Sequence, residues 1–180
     1  MSNRLILILC ILLVAWSCKT PEARRPVEVK TGSTIDLSVE RNKERYALEE
    51  EDIKKVIDND SVNDYITSEL GFWYYYNSEK SLDTELADFG DVVEYEYDVK
   101  DLNGNTIYTK DELGKQTYRM EKEELISGLR EGLKIMKEGE TVTFVFPSYK
   151  AYGYYGDLER IGTNMPIIST VTVINIEQIN

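Results

Sequence analysis

One short helical segment, interrupted by glycine and set between alternating strands, constrains the fold of this chain more than any other stretch. Leu129, Leu133 and Met136 fall on one face at helical spacing, and Ser127 stands where a capping hydroxyl belongs. Gly132 costs such a helix about 1 kcal/mol relative to alanine, so the position demands a reason such as close approach to a sheet. Gly139 stands where a helix stop is expected. The strands around it are legible from period-two alternation. Val93, Tyr95, Tyr97 and Val99 alternate with Glu94, Glu96, Asp98 and Lys100, one face buried and one wet. Asn103-Gly104 then signals a hairpin, with Thr106-Ile107-Tyr108 pairing back. Val142, Phe144 and Phe146 mark another strand, stopped by Pro147, and a last one runs from Ser169 to Ile179. Its alternation slips between Val173 and Ile174, which predicts a bulge. The aromatic run Gly71 to Tyr76 reads as a further strand, broken at Asn77-Ser78, and a loop from Glu79 to Phe89 follows. One short helix among antiparallel strands predicts an α+β fold, a sheet curled over a helix.

The N-terminus has a separate logic. Arg4 precedes an apolar run from Leu5 to Trp16, shorter than the roughly 18 residues of a membrane span and close to a secretory core segment. It ends Ala15-Trp16-Ser17-Cys18, which resembles the lipobox of bacterial lipoproteins and makes Cys18 the lipidation site. The alternative is an ordinary signal peptide with a chance cysteine. Cys10 is the only other cysteine and lies in the segment to be removed, so no disulfide is expected. Residues 1–17 are read as the lipoprotein signal peptide and 18–33 as a lipidated, disordered tether with two prolines and two adjacent arginines. Residues 34–61 form an N-terminal helical segment of one or two helices, in which Tyr46, Ile53, Val56 and Ile57 recur near helical spacing. Two readings of that stripe stay open: a solvated helix with one apolar face, and an arm for homodimerisation or another partner. Residues 62–180 are the folded domain.

A chain of 180 residues fits one core plus an appendage. With 33 acidic against 21 basic residues, a net charge of −12 and no basic block, nucleic acid is excluded as a partner. Histidine is absent, which removes imidazole metal ligands, the Ser-His-Asp triad and histidine bases together. No metal and no cofactor are expected.

The order Glu124-Leu125-Ile126-Ser127-Gly128-Leu129, then Met136-Lys137-Glu138-Gly139, then Phe144-Val145-Phe146-Pro147 and the loop Ala151-Tyr152-Gly153-Tyr154-Tyr155-Gly156 resembles the FKBP-type peptidyl-prolyl isomerases. With the N-terminus, the resemblance narrows to the gliding-motility-associated FKBP-type lipoproteins of gliding bacteria. It covers Tyr65 to Asn180 and implies an FKBP-like antiparallel sheet curled over one short helix. It also implies an enzyme that needs no nucleophile, since an apolar pocket and a few donors suffice to ease rotation about an X-Pro bond. By resemblance, Tyr97, Leu125, Ile126, Tyr152 and Ile161 fall on pocket positions, with the Ile126 N–H and the Tyr152 hydroxyl offered to substrate. Tyr97, Ile126 and Tyr152 are the implied catalytic residues. For Leu125, Ile126 and Ile161, plain core remains the other reading.

The departures are as informative. Ile107-Tyr108 stands where the family places Phe-Asp, Leu129 where it places a tryptophan floor, and Gln116 and Ser169 where it places aromatics. Loss of the aspartate removes a carboxylate, so macrolide binding and turnover are expected to suffer. Tyr95, Tyr97, Tyr108, Tyr118, Tyr149, Tyr152, Tyr154 and Tyr155 either line a more polar groove or are ordinary half-buried sheet positions. The implied function is a lipid-anchored isomerase and chaperone of the bacterial cell envelope, facing the periplasm and acting on proline-containing exported proteins, including gliding components. The alternatives are a catalytically weak FKBP-fold assembly module and a mere envelope spacer.

Overall fold

Glycine lets the short helix lie directly on a strand. The computed structural model describes residues 31–77 and 85–179. Among them, helix α3 (Ser127–Leu133) crosses strand β7 (Thr141–Phe146). A Cβ on Gly132 would lie 2.9 Å from the Phe144 ring, and one on Gly128 2.6 Å from Phe146. The approach expected at Gly132 is therefore real, and Gly128 has the same cause. Leu129, Leu133 and Met136 are buried beneath the sheet, as their spacing predicts. Two local expectations are corrected. Ile126, not Ser127, is the N-cap, and no side chain caps the helix; Ser127 donates instead to the Lys150 carbonyl at 3.4 Å. Gly139, at φ +80°, does not stop the helix, which ends at Leu133; it turns the chain into β7, its N–H bonded to the Val173 carbonyl.

The sheet has eight strands, all paired antiparallel. They are β1 (Ile66–Thr67), β2 (Trp73–Tyr76), β3 (Val92–Tyr97), β4 (Val99–Lys100), β5 (Thr106–Tyr108), β6 (Gln116–Arg119), β7 and β8 (Ile167–Glu177). Their order is β1-β2-β7-β8-β3-β6, with β4 joined to β5 and β8. This is the expected α+β architecture. Val93, Tyr95 and Val99 point into the core as alternation requires. The slip in β8 is a bulge: Tyr95 pairs with Val173 but Glu94 with Asn175, so Ile174 is the extra residue. Parity then switches, and Ile176 rather than an odd-numbered neighbour packs on the core. The Asn103-Gly104 hairpin exists, but Asp101 builds it. Only Gly104 takes positive φ, and the Asp101 carboxylate accepts from the N–H groups of Asn103 and Asn105, both at 2.9 Å. The four-residue helix α2 (Lys110–Leu113) follows, with a reciprocal capping box between Thr109 and Glu112.

Helix α1 is continuous from Thr31 to Asn59. Residues 31–33 of the expected tether are thus helical; the signal peptide, Cys18 and the rest of the tether lie outside the described residues, as does part of the Glu79–Phe89 loop. The compact unit runs from Val39 to Asn180, with Met1–Ser38 falling to another. The single core expected from length is corrected to two clusters. Beside the main one, Ile53 of α1 packs with Trp73 and Val145 on the outer face of the sheet, flanked by Ile57, Tyr65, Leu102 and Ile168. Val145 is buried for this reason although it alternates with the inner residues of β7. Residue 62 divides elements, and the packing crosses it.

Candidate active site

Pro147 ends β7, and the chain makes one 3-10 turn (Ser148–Lys150) before a long loop. That loop is held by its own backbone. The Ser148 carbonyl accepts from the N–H groups of Ala151 at 3.0 Å and Gly153 at 2.8 Å, and the Gly153 carbonyl accepts from Asn164 at 2.8 Å. Gly156 is at φ +66°, and a Cβ there would lie 2.0 Å from the Ile161 carbonyl oxygen, so only glycine lets the two arms meet. One Asp157 carboxylate oxygen gathers the N–H groups of Glu159, Arg160 and Ile161 at 2.9, 3.0 and 2.8 Å. Tyr152 and Ile161 are placed by these bonds.

The residues singled out in the sequence all belong to the main core or pack against it. Leu129 and Ile161 are buried in it, and Tyr97, Ile107, Tyr108, Leu125, Ile126 and Tyr152 pack against it with part of their surface open. Met165 joins them, unforeseen. The phenols of Tyr97 and Tyr152 bear on one another's ionisation, and burial raises both above their ordinary value. Each stays a neutral donor or acceptor at any physiological pH. The Ile126 N–H, one residue ahead of α3, is paired with no acceptor among the described residues. Such an arrangement offers a largely dry wall, one phenolic pair and one free main-chain donor. It can hold an amide carbonyl but has nothing with which to attack it.

The carboxylate that the sequence lacks at Tyr108 returns from another element. Tyr108 donates to Asp157 at 2.5 Å, and that bond, with desolvation and the charges of Asp157 and Glu159, pushes its phenol up to about 12. Arg160 lies over the Tyr108 ring at 4.7 Å and donates to the Ile107 carbonyl at 2.9 Å and to Glu112 at 3.0 Å. Loss of the family's aspartate therefore does not empty the neighbourhood of charge. Asp157 had a sequence signal, an Asp directly after Gly156 in a glycine-rich loop. The other departures serve the backbone. Gln116 donates to the Leu113 carbonyl at 2.6 Å, and buried Ser169 to the Asp98 carbonyl at 2.7 Å.

The tyrosines divide. Tyr95 and Tyr118 are core, Tyr97, Tyr108 and Tyr152 border the site, Tyr149 stacks edge-on to Tyr46 of α1, and Tyr154 and Tyr155 are exposed. Neither a groove nor a plain sheet describes all eight. Among the described residues, no group of three or more His, Cys, Asp or Glu is placed to hold a metal ion.

Residues 83–174 match the family model of FKBP-type peptidyl-prolyl cis-trans isomerases. A probable FKBP-type peptidyl-prolyl cis-trans isomerase FkpA of Neisseria meningitidis serogroup B is 29% identical over 86 residues, 48% of this chain and 31% of that relative. The chain thus spans under a third of that relative's length. Among solved structures, FkpA from Escherichia coli is similar with a TM-score of 0.60 at 20% identity, covering 98% of this chain and 82% of its own. A peptidyl-prolyl cis-trans isomerase from Pseudomonas syringae pv. tomato gives 0.56 at 20% identity, covering 70% and 91%. These two likenesses speak for the fold.

Proposed function

The chain belongs to the FKBP-type peptidyl-prolyl cis-trans isomerases, and from that membership we propose that it isomerises X-Pro bonds of exported proteins while anchored by lipid in a bacterial cell envelope. The observation that supports this reading is that Tyr97, Tyr152 and the residue with the unpaired N–H, Ile126, all pack against the one core in which Ile161 is buried. The barrier to rotation, about 18–20 kcal/mol, comes from amide resonance. Resonance separates charge, so an apolar wall of Ile161, Leu125 and Ile107 that takes the proline ring out of water disfavours the planar form. The Ile126 N–H holds the carbonyl as it twists, and the Tyr152 hydroxyl supplies a second donor. No proton is transferred and no covalent intermediate forms.

A protease-coupled assay on a prolyl tetrapeptide tests the assignment. Tyr152→Phe is expected to slow turnover by up to about tenfold, the worth of one net hydrogen bond of about 1.4 kcal/mol in the transition state. Equal rates for wild type and Tyr152→Phe would remove the hydroxyl from the mechanism. The envelope location rests on Cys18, directly after the Leu5–Trp16 run and small residues. Cys18→Ala is expected to leave the membrane pellet on fractionation. Periplasmic orientation and service to the gliding machinery are part of the same reading, supported by the lipobox-like N-terminus together with the FKBP-type resemblance of Tyr65 to Asn180. α1 leaves Ile35, Leu37, Val39 and Leu48 exposed, apolar surface that suits a homodimer. A second reading, a binding module with weak turnover, is favoured by Leu129, which is only 1% exposed and offers a proline ring little floor.

A further inference from the structure

Between the middle of α1 and the loop after β7 lies a cavity of about 460 Å³, walled by Arg41, Asn42, Arg45 and Tyr46 on one side and Tyr154 and Asn164 on the other. Its charge opposes that of the chain, which carries a net −12. Neither arginine has a carboxylate partner among the described residues. The Nε of Arg45 is shut off from solvent and without an acceptor there. A buried guanidinium N–H left unpaired is costly, and in a protein with twelve surplus negative charges an acceptor was available had the fold needed one for itself. The Glu49 carboxylate, one turn along α1, is already taken by the N–H and hydroxyl of Ser148.

The walls of the cavity are tied to their neighbours. Tyr46 meets Tyr149 edge-on at 5.0 Å, Glu49 ties α1 to Ser148, and Asn164 is pinned to the Gly153 carbonyl at 2.8 Å. Arg45 lies over the Tyr46 ring at 5.0 Å, which occupies the face of the guanidinium and leaves its terminal amino groups for an anion. Tyr154 and Tyr155 stand exposed beside it at 65% and 77%, surface suited to the apolar parts of a polypeptide.

We infer that this cavity is a second binding site, separate from the isomerase wall, that takes the side-chain carboxylate of an acidic polypeptide segment between Arg41 and Arg45. It does not depend on the isomerase reading, because proline has no part in it.

The test uses the full chain and a fluorescein-labelled peptide of Gly, Ser, Asp and Glu without proline, followed by anisotropy. The acidic peptide is expected to bind, to weaken as salt rises, and to lose affinity about tenfold to a hundredfold in Arg45→Gln, with Arg45→Lys between. An analogue with Asn and Gln in place of Asp and Glu is expected not to bind. In unsubstituted protein, the Arg45 Nε–H resonance is expected to shift on titration, a readout that needs no variant to fold. Equal binding of the neutral analogue, no binding of the acidic one, or an unmoved Arg45 resonance at saturation would overturn the inference. Displacement of the peptide by inorganic phosphate at equal concentration would make the cavity a phosphate site instead and overturn it equally.

Discussion

Glu49→Ala severs the polar tie between α1 and the loop that carries Tyr152, and its cost can be worked out atom by atom. The carboxylate is buried and accepts from both the N–H and the hydroxyl of Ser148, which is itself fully buried. Alanine strands two donors. The N–H cannot turn away and costs about 1–3 kcal/mol as an unsatisfied buried group, whereas the hydroxyl can rotate toward another acceptor. Removing a buried carboxylate returns part of this by ending its desolvation, so a net loss of about 2 kcal/mol is expected. Glu49→Gln keeps one acceptor for the N–H and gives a donor to the Ser148 oxygen, losing little but charge assistance, about 1 kcal/mol or less. In a Ser148→Ala background, Glu49→Ala should cost less by about 1 kcal/mol, the coupling of the hydroxyl bond. Urea unfolding of wild type and of these variants gives the five stabilities. Amide exchange at Ala151 and Gly153, whose N–H groups bond the Ser148 carbonyl, reports whether the loop loosens with the tie. If Glu49→Ala is neutral or stabilising, and exchange at both amides is unchanged, the tie has no energetic meaning and the buried carboxylate is merely tolerated.

Gly128→Ala is expected to destabilise by about 3 kcal/mol and Gly132→Ala by about 1, in the same unfolding assay. The added methyl at 128 meets both the Phe146 ring and, at 2.9 Å, the Lys150 carbonyl, which is main chain, while at 132 it meets only the Phe144 ring, which can yield. Burial works to raise the Asp157 carboxyl, but the bonds from Tyr108 and from the N–H groups of Glu159, Ile161 and Arg160 prevail and hold it below the usual carboxylate range. A lowered folded value means its support is complete above the ordinary aspartate pKa and is lost as pH falls through the folded one, so exchange of the Ile161 amide should accelerate at that acid end. At neutral pH and above, the profile should be flat: burial keeps Tyr97 and Tyr152 protonated and the chain has no histidine, so kcat/KM is expected constant from about pH 6 to about pH 9. A midpoint near neutrality would contradict that.

What could be read from the sequence was what local periodicity records. The alternation of Val93, Tyr95 and Val99, the slip at Ile174 and the glycine at 132 all state a face or a close approach within a few residues. Strand β6 was missed because Gln116–Arg119 has a single apolar residue, Tyr118, and is recruited by pairing with β3. Helix α2 had a visible capping box in Thr109 and Glu112, overlooked for its shortness. The tie from Glu49 to Ser148 spans 99 residues, and nothing near either partner announces it. Burial of Val145 likewise depends on a helix far off in sequence covering the outer face. At the candidate site, the motif order pointed to Tyr97, Ile126, Tyr152 and Ile161, which all belong to or border the main core. The substitute for the missing aspartate came from Asp157, 49 residues beyond the Tyr108 it meets. Sequence order cannot show such a replacement, because only the folded loop brings the two together.

The most direct measurement of the central claim is exchange spectroscopy on a short prolyl peptide, taken with and without catalytic amounts of the full chain. Cis–trans exchange without enzyme takes tens of seconds and gives no cross-peaks on the millisecond-to-second mixing time. With the protein present, cross-peaks between the cis and trans proline signals are expected, together with shifts at the Ile126 amide and weaker exchange for Tyr152→Phe. If several prolyl peptides show no exchange above the uncatalysed rate while the protein is folded, Tyr97, Ile126, Tyr152 and Ile161 do not make a catalyst, and the binding-module reading takes its place.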